Sequence, residues 1–362
     1  MRMEYCVVPL VSVVFLCTAC ESTPVPAPVI LMDPVATSEA PLTGINSIAL
    51  ADETTACVIE SYEERIHCLG RDGEEVGAFG RPGEGPGEFR SLMEVVGGPN
   101  GTIGAIDWGL ARMTVFETTG TRVSEVNLPF FGPYRATASF DSVLFGYGMA
   151  SRSGDLATGL QTLHTGLDLA SGDILWERGY PVDLLETGCD WGPSSELSLG
   201  VPTPTGGIVF PACGGLMILL EDRDGDDASL VEAPLYVEEF RSEAEIEAFA
   251  TMQRTSMFGS EAAVERYRTT PLRYNVGRPI FDDRDRLWVL TRRFHEGFSH
   301  LDIYAGTRLI GVVQVRDRAV GFDLRGSTLV ILTDRPVGPE DPDGYPDRAI
   351  DWYDIGKLEI SR

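Results

Sequence analysis

The chain has 362 residues, 43% hydrophobic and 23% charged, enough apolar material to bury a large core. Lysine and arginine number 29 against 55 aspartates and glutamates, a formal net charge of -26. Such a chain repels nucleic acid and anionic lipid at long range, so neither is expected as a partner.

Taken from the N-terminus, Met1 to Glu4 form a short leader with one positive charge, and Tyr5 to Ala19 form an apolar stretch of fifteen residues. A spanning helix needs about 20 apolar residues, so this length suits the core of a secretory signal peptide over residues 1–19. Leu16-Cys17-Thr18-Ala19-Cys20 resembles the lipobox of bacterial lipoproteins, with Cys20 as the lipidated residue; Cys17 stands where leucine is usual. The reading is an exported protein, lipid-anchored to a bacterial membrane on its periplasmic or cell-surface side. Ordinary secretion and a retained anchor are the alternatives. Residues 20–43 carry five prolines and read as an extended tether, so the membrane is met only through the anchor.

From residue 44 to 362 one pattern recurs: an apolar run, a polar loop, a second run, then a glycine turn into a third. The first runs are ACVIES, TIGAID, SVLFGYG, GIVFPAC, RLWVLT and TLVILT. The turn glycines are Gly73, Gly120, Gly172, Gly225, Gly306 and Gly356, at spacings of 47, 52, 53, 81 and 50 residues. The long spacing has a visible cause in residues 236–268. Ser242-Glu243-Ala244-Glu245 begins a capping box, Ile246, Phe249 and Met252 keep helical spacing, and Ser260 begins a second helix. A period near 50 with several strands per unit predicts an all-β, six-bladed β-propeller with a helical insertion between the fourth and fifth blades. A solenoid is the competing architecture. INSIALA either opens the first blade or closes the ring.

AIDWGLARMTVFETTG is similar to the repeat core of NHL-type propellers. AFGRPGEGPGEFRSL and DDRDRLWVLTRR resemble segments of six-bladed propeller lipoproteins of environmental bacteria. The resemblance implies a ligand face shared by the loops between second and third strands and the connections between blades. That face would carry Tyr62, Asp107, Trp108, Arg112, Trp191, Arg292, Arg293 and His295.

Besides Cys6, Cys17 and Cys20, four cysteines remain, an even number in an oxidising compartment. In a hairpin turning at Tyr62-Glu63, facing residues have numbers summing to 125, which pairs Cys57 with Cys68. Cys189 and Cys213 fall where blade connections and second-to-third-strand loops share a face, so a second disulfide is expected there. Four buried thiols are the alternative.

Metal chemistry is poorly supported: His67, His164, His295 and His300 fall on three different units, and no HxH or HExxH occurs. The acidic run Asp222, Asp224, Asp226 and Asp227 lacks the glycine position of a calcium loop. GxSxG, P-loop and dinucleotide fingerprints are absent as well, and no cofactor is expected.

Trp108 and Arg112 could clamp an anionic or aromatic ligand, or Asp107 and Arg112 could simply stabilise their own loop. Arg292 and Arg293 beside His295 are the densest basic spot, close to the insertion, and predict an anionic ligand group. The competing reading pairs them with Glu243, Glu245 or Glu261. Two functions follow: a non-catalytic binding or scaffolding module for a peptide, glycan or partner protein, or a propeller enzyme, lactonase-like or a lyase, with a metal in its channel.

Overall fold

The computed structural model describes residues 27–40, 46–128, 135–140, 143–150, 161–168, 173–181, 201–203, 206–211, 214–222, 228–255, 260–272, 274–336 and 346–360. The signal segment, Cys20, Cys189, Trp191 and Cys213 lie outside the described residues. No helix among the described residues is long and apolar enough to cross a membrane.

Two short strands come first, β1 (Val29–Leu31) and β2 (Ala36–Ala40). Sheet 1 is β3 (Ile48–Leu50), β4 (Thr55–Glu60), β5 (Arg65–Gly70) and β6 (Glu75–Phe79). Sheet 2 is β7 (Leu92–Gly97), β8 (Thr102–Asp107), β9 (Arg112–Glu117) and β10 (Arg122–Asn127). Sheet 3 is β11 (Arg135–Phe140), β12 (Val143–Ala150), β13 (Gln161–Asp168) and β14 (Ile174–Pro181). Sheet 4 is β15 (Val201–Pro202), β16 (Gly206–Pro211), β17 (Leu216–Asp222) and β18 (Ala228–Glu232). Helices α1 (Glu243–Thr255) and α2 (Glu261–Thr269) follow. Sheet 5 is β19 (Ile280–Phe281), β20 (Arg286–His295), β21 (Phe298–Ala305) and β22 (Arg308–Arg316), with β1 added in parallel outside β22. Sheet 6 is β23 (Arg318–Arg325), β24 (Thr328–Asp334) and β25 (Arg348–Asp354), with β2 as its outer strand.

The six apolar runs read from the sequence are the second strands of these sheets. They are unbroken apolar runs because both faces are covered: β4 and β24 bury nearly every residue. Alternation would be expected had one face met water. Shared cores fill the gaps between sheets. Val58 and Leu50 of sheet 1 meet Trp352 of sheet 6, Phe89 and Ile103 meet Ile59 and Ile66, and Trp288 meets Leu329 and Ile331. Leu167 joins sheet 3 to sheet 2, Val209 and Tyr304 share the core of sheets 4 and 5, and β11 touches β15. Each sheet therefore touches the next, and sheet 6 returns to sheet 1, a propeller-like all-β arrangement. Each fully buried large side chain contributes roughly 1.5–3 kcal/mol.

Arg325 of sheet 6 ties the seam of sheets 6, 1 and 2, donating to the carbonyls of Leu50, Ala51 and Gly98. Gly73, Gly120 and Gly306 take positive φ at the turns expected of them, whereas Gly356 does not. Gly172 and Gly225 lie outside the described residues.

The register of β4 and β5 sets Cys57 opposite Cys68, and the two form a disulfide across a Cα separation of 4.0 Å. The helical segment begins as its sequence predicts. The Ser242 N–H donates to Glu245 Oε2 at 2.8 Å while the Glu245 N–H returns to Ser242 Oγ at 3.3 Å. Ser260 caps α2 through the Ala263 N–H. Phe249 stacks on Tyr267 at 4.0 Å, and Arg268 pairs with Glu243, fixing one helix on the other.

One expectation is corrected. Residues 20–43 are not all free tether, because 29–31 and 36–40 are strands on sheets 5 and 6. Neither segment has the composition of an autonomous strand; the exposed edges of β22 and β25 supply the hydrogen bonds that fix them. INSIALA opens sheet 1 as β3.

Candidate functional site

The central hairpin of sheet 5 is the longest in its sheet, and it turns at Glu296 and Gly297, both at positive φ. Its register slips between Leu290 and Phe294, over Thr291, Arg292 and Arg293, and such irregularities re-aim side chains. Alongside runs the segment after α2, held by the Arg292 N–H on the Tyr274 carbonyl at 2.9 Å. The segment before α1 closes the other side. Tyr236 Oη donates to the Leu272 carbonyl, and the Leu272 N–H donates to the Glu239 carbonyl. Gly215 is required here, since a Cβ on it would meet Tyr236 Cβ at 2.7 Å and its ring at 2.8 Å. Between these segments opens a shallow cleft, lined by Tyr236, Val237, Glu239, Leu272, Tyr274, Arg292 and Arg293.

Beneath it lies a buried polar network. Arg293 and Tyr274 both donate to the wholly buried carboxylate of Asp302, and the Tyr274 and Tyr304 hydroxyls are 2.6 Å apart. Burial pushes the Asp302 carboxyl up, opposed by the Arg293 guanidinium and the Tyr274 hydroxyl. Burial, and then the neighbouring Asp302, push both tyrosines well above their ordinary range, so they remain hydroxyl donors. The Arg293 Nε–H is shut off from solvent and has no acceptor among the described residues. His300 Nδ1–H donates to the Arg293 carbonyl and Nε2 accepts from the Gln314 amide, and burial lowers its basicity.

The sequence placed Arg292, Arg293 and the insertion flank together, and the cleft has all of them in its wall. Arg293, however, pairs with Asp302 of its own hairpin and not with an acid of the insertion. Glu243 pairs with Arg268, while Glu245 is held below the usual carboxylate range chiefly by Ser242, with Arg241 and Arg292 adding to the effect. His295 stands at the hairpin tip, 83% exposed and outside the cleft wall. Residues 236–296, which carry the cleft, hold ten arginines and eleven acids, close to balance within a chain of net charge -26.

Trp108 and Arg112 are on sheet 2, so the structure does not join them to this cleft. Arg112 is buried and donates to the carbonyls of Glu84, Gly85 and Glu88, with Glu125 at 3.4 Å. Asp107 accepts from the N–H groups of Arg90, Ser91 and Leu110. Both therefore fasten the glycine-rich loop 80–91, as the repeat-stabilising reading expected, but through the backbone and not through each other. Trp108 packs against the core of sheet 2, and Tyr62 stands exposed at the β4–β5 turn.

Sequence reasoning missed Tyr236, Tyr274 and Asp302. Only Asp302, an acid inside the apolar strand HLDIYA, left a signal. Elsewhere, Arg278, just before β19, reaches Glu94 of β7 at 3.4 Å, and Arg278 also favours the ionised form of Asp323, whose carboxyl burial raises. His67 sits between Glu75 and Glu60, on opposite sides of its ring. No cluster of three or more metal-ligating side chains occurs among the described residues.

No protein-family profile matches the chain, and no curated protein matches it. Solved structures do. A member of the DUF4221 family from Bacteroides vulgatus aligns with TM-score 0.51 and 11% identity, over 89% of this chain and 96% of that one. The virginiamycin B lyase of Staphylococcus aureus aligns with TM-score 0.46 and 10% identity, over 88% and 98%. Regucalcin, a calcium-binding protein from Agrobacterium tumefaciens, aligns with TM-score 0.46 and 12% identity, over 92% and 98%. The fold is propeller-like. At such identities the likeness concerns the fold alone.

Proposed function

We propose that the six sheets are the blades of one NHL-like propeller, interrupted by the helical insertion, and that the protein is an exported, Cys20-anchored binding module. Its ligand carries a carboxylate and enters the cleft beside Arg292 and Arg293. The observation that carries this reading is the pair of arginines in one cleft of a strongly acidic chain. The cleft offers guanidinium groups and apolar side chains, which suits holding an anion. The Asp302 carboxyl, raised by burial, is already held by Arg293 and Tyr274.

The alternative, a metal-dependent enzyme, needs carboxylates free to hold a cation where the first strands meet. Glu94 and Asp323 do approach that place, and the guanidinium of Arg278 is already there between sheets 2 and 5. A divalent ion would have to displace it against like charge, which favours the binding reading.

Thermal unfolding of the full chain in benzoate, against chloride at equal ionic strength, tests the cleft. Benzoate should raise the Tm of the native chain and leave Arg292→Ala unmoved, because a ligand stabilises only the state that binds it. Equal shifts in both, or no shift in either, would sink the proposal. The anchor has its own check: a Cys20→Ala chain should take up no fatty-acid label.

A further inference from the structure

Resting on the Cys20 anchor of that reading, we infer that the outer edge of sheets 5 and 6, with Val29, Leu31 and Val35 at its surface, lies against the lipid bilayer. Length comes first. The Val312 N–H donates to the Pro28 carbonyl at 2.9 Å, so the chain is fastened to sheet 5 from Pro28 onward. Cys20 stands eight residues earlier. Even a fully extended chain covers at most about 3.6 Å per residue, which keeps Pro28 within about 30 Å of the anchored cysteine. A free tether through residue 43 would have allowed about 80 Å. A folded body of this length has a radius of gyration of about 20 Å, hence a width of about 50 Å. The far rim therefore never reaches the bilayer, and the rim that carries β1 is held near it.

The surface held there is apolar where an outer strand is ordinarily polar. Strand side chains alternate between faces. Ile30 of β1 and the following Met32 pack on the core of sheets 5 and 6, which sends Val29 and Leu31 outward, 58% and 49% exposed. Val35, just before β2, is 56% exposed. Outer strand β10 of sheet 2 shows the ordinary case: its one exposed apolar residue, Val123, stands between Arg122 and Ser124. Water disfavours the outward valines and leucine, whereas the interfacial region of a bilayer takes them up. The flanking cations fit as well. β22, to which β1 is bonded, exposes Arg308 and Arg316 at its two ends, with Asp33 at 3.8 Å from Arg316. Arginine stems can lie along the apolar surface while their charges meet headgroup phosphates. The net charge of -26 opposes free approach to anionic lipid, so the contact depends on the proximity that the anchor supplies. A second copy pairing through β1 would cover the same residues, and the experiment separates the two.

Photo-cross-linking of the anchored chain is that experiment. The mature, fatty-acylated protein is reconstituted in vesicles of phosphatidylethanolamine and phosphatidylglycerol that contain an alkyne-tagged lipid. The photo-reactive residue p-benzoyl-phenylalanine replaces Val29, Leu31, Val35 or Val123, one at a time. Val123 is the control, since sheet 2 lies three sheets away from sheet 5 in either direction. The first three positions should give lipid adducts, and Val123 none above the unirradiated background. Leu31→Glu together with Val35→Glu should bring the adducts from the Val29 position down to background. Fatty-acid labelling and Tm should not change in that double variant, because neither side chain belongs to the core. Equal adducts from all four positions, or none from any, in a chain that carries its fatty acid would overturn the docked edge and leave the anchor standing. Adducts of twice the chain's mass from the Val29 and Leu31 positions would put a second copy where the bilayer is inferred, and overturn it too. A native chain that takes up no fatty acid would end the anchor and this inference together.

Discussion

Arg112 in sheet 2 and Arg293 in sheet 5 each stand near the turn of a central hairpin, and each lies beside residues that the sequence marked as a site. Arg112 spends its donors on three backbone carbonyls of the loop before its sheet. Arg293 spends one on a carboxylate with no exposure to water, and also lines a cleft. The difference lies in the acceptors. Carbonyls are neutral and near the surface, so the guanidinium that binds them only fastens a loop. A buried carboxylate fixes both the position and the charge of its arginine.

This contrast can be broken by mutation. Arg293→Ala strands the Asp302 charge in the interior and should cost about 3–5 kcal/mol in denaturant unfolding. Adding Asp302→Asn should return a part of it. Arg112→Ala frees carbonyls that water can reach and should cost about 1–3 kcal/mol, with faster amide exchange confined to residues 82–91. A larger loss at Arg112 than at Arg293 would overturn the comparison. The smallest effect belongs to Glu245, whose carboxyl is held below its ordinary value chiefly by Ser242. A depressed carboxyl stabilises the fold above its unfolded pKa of about 4.3, and that contribution is lost as the pH falls through the folded value. Glu245→Gln should therefore cost about 0.5 kcal/mol near neutral pH, a weak capping contribution. The cost should shrink as the pH falls through the folded value, and a cost that does not change with pH would refute the capping account.

The same contrast explains what was legible in the sequence. Second strands, the turns at Gly73, Gly120 and Gly306 and the Cys57–Cys68 register rest on local order and fixed spacing, so the letters alone disclose them. The helical insertion was readable because Ser242 and Glu245, four letters inclusive, satisfy each other. The pairing of Arg293 with Asp302 depends on a slip in register between Leu290 and Phe294, which no composition announces. Tyr274 enters the network from a loop without period. β1 and β2 escaped for a different reason: VIL and ATSEA become strands only against edges formed by residues near the other end of the chain.

Those edges have a consequence in time. Thr37 hydrogen-bonds Asp351, 314 positions later, so a chain synthesised from its N-terminus makes residues 29–40 long before it makes their mates. Closing a loop of that length costs on the order of 5 kcal/mol of chain entropy, growing only with the logarithm of its size. The thermodynamic burden is therefore modest, and the exposure is in waiting. Until β22 exists β1 has no partner, and until β25 exists β2 has none. A polypeptide released before residue 308 would leave both strands unpaired for good, and one released between 316 and 348 would still leave β2 so. Such fragments should be cleared by proteolysis or lost to aggregation, however complete the first four sheets had become.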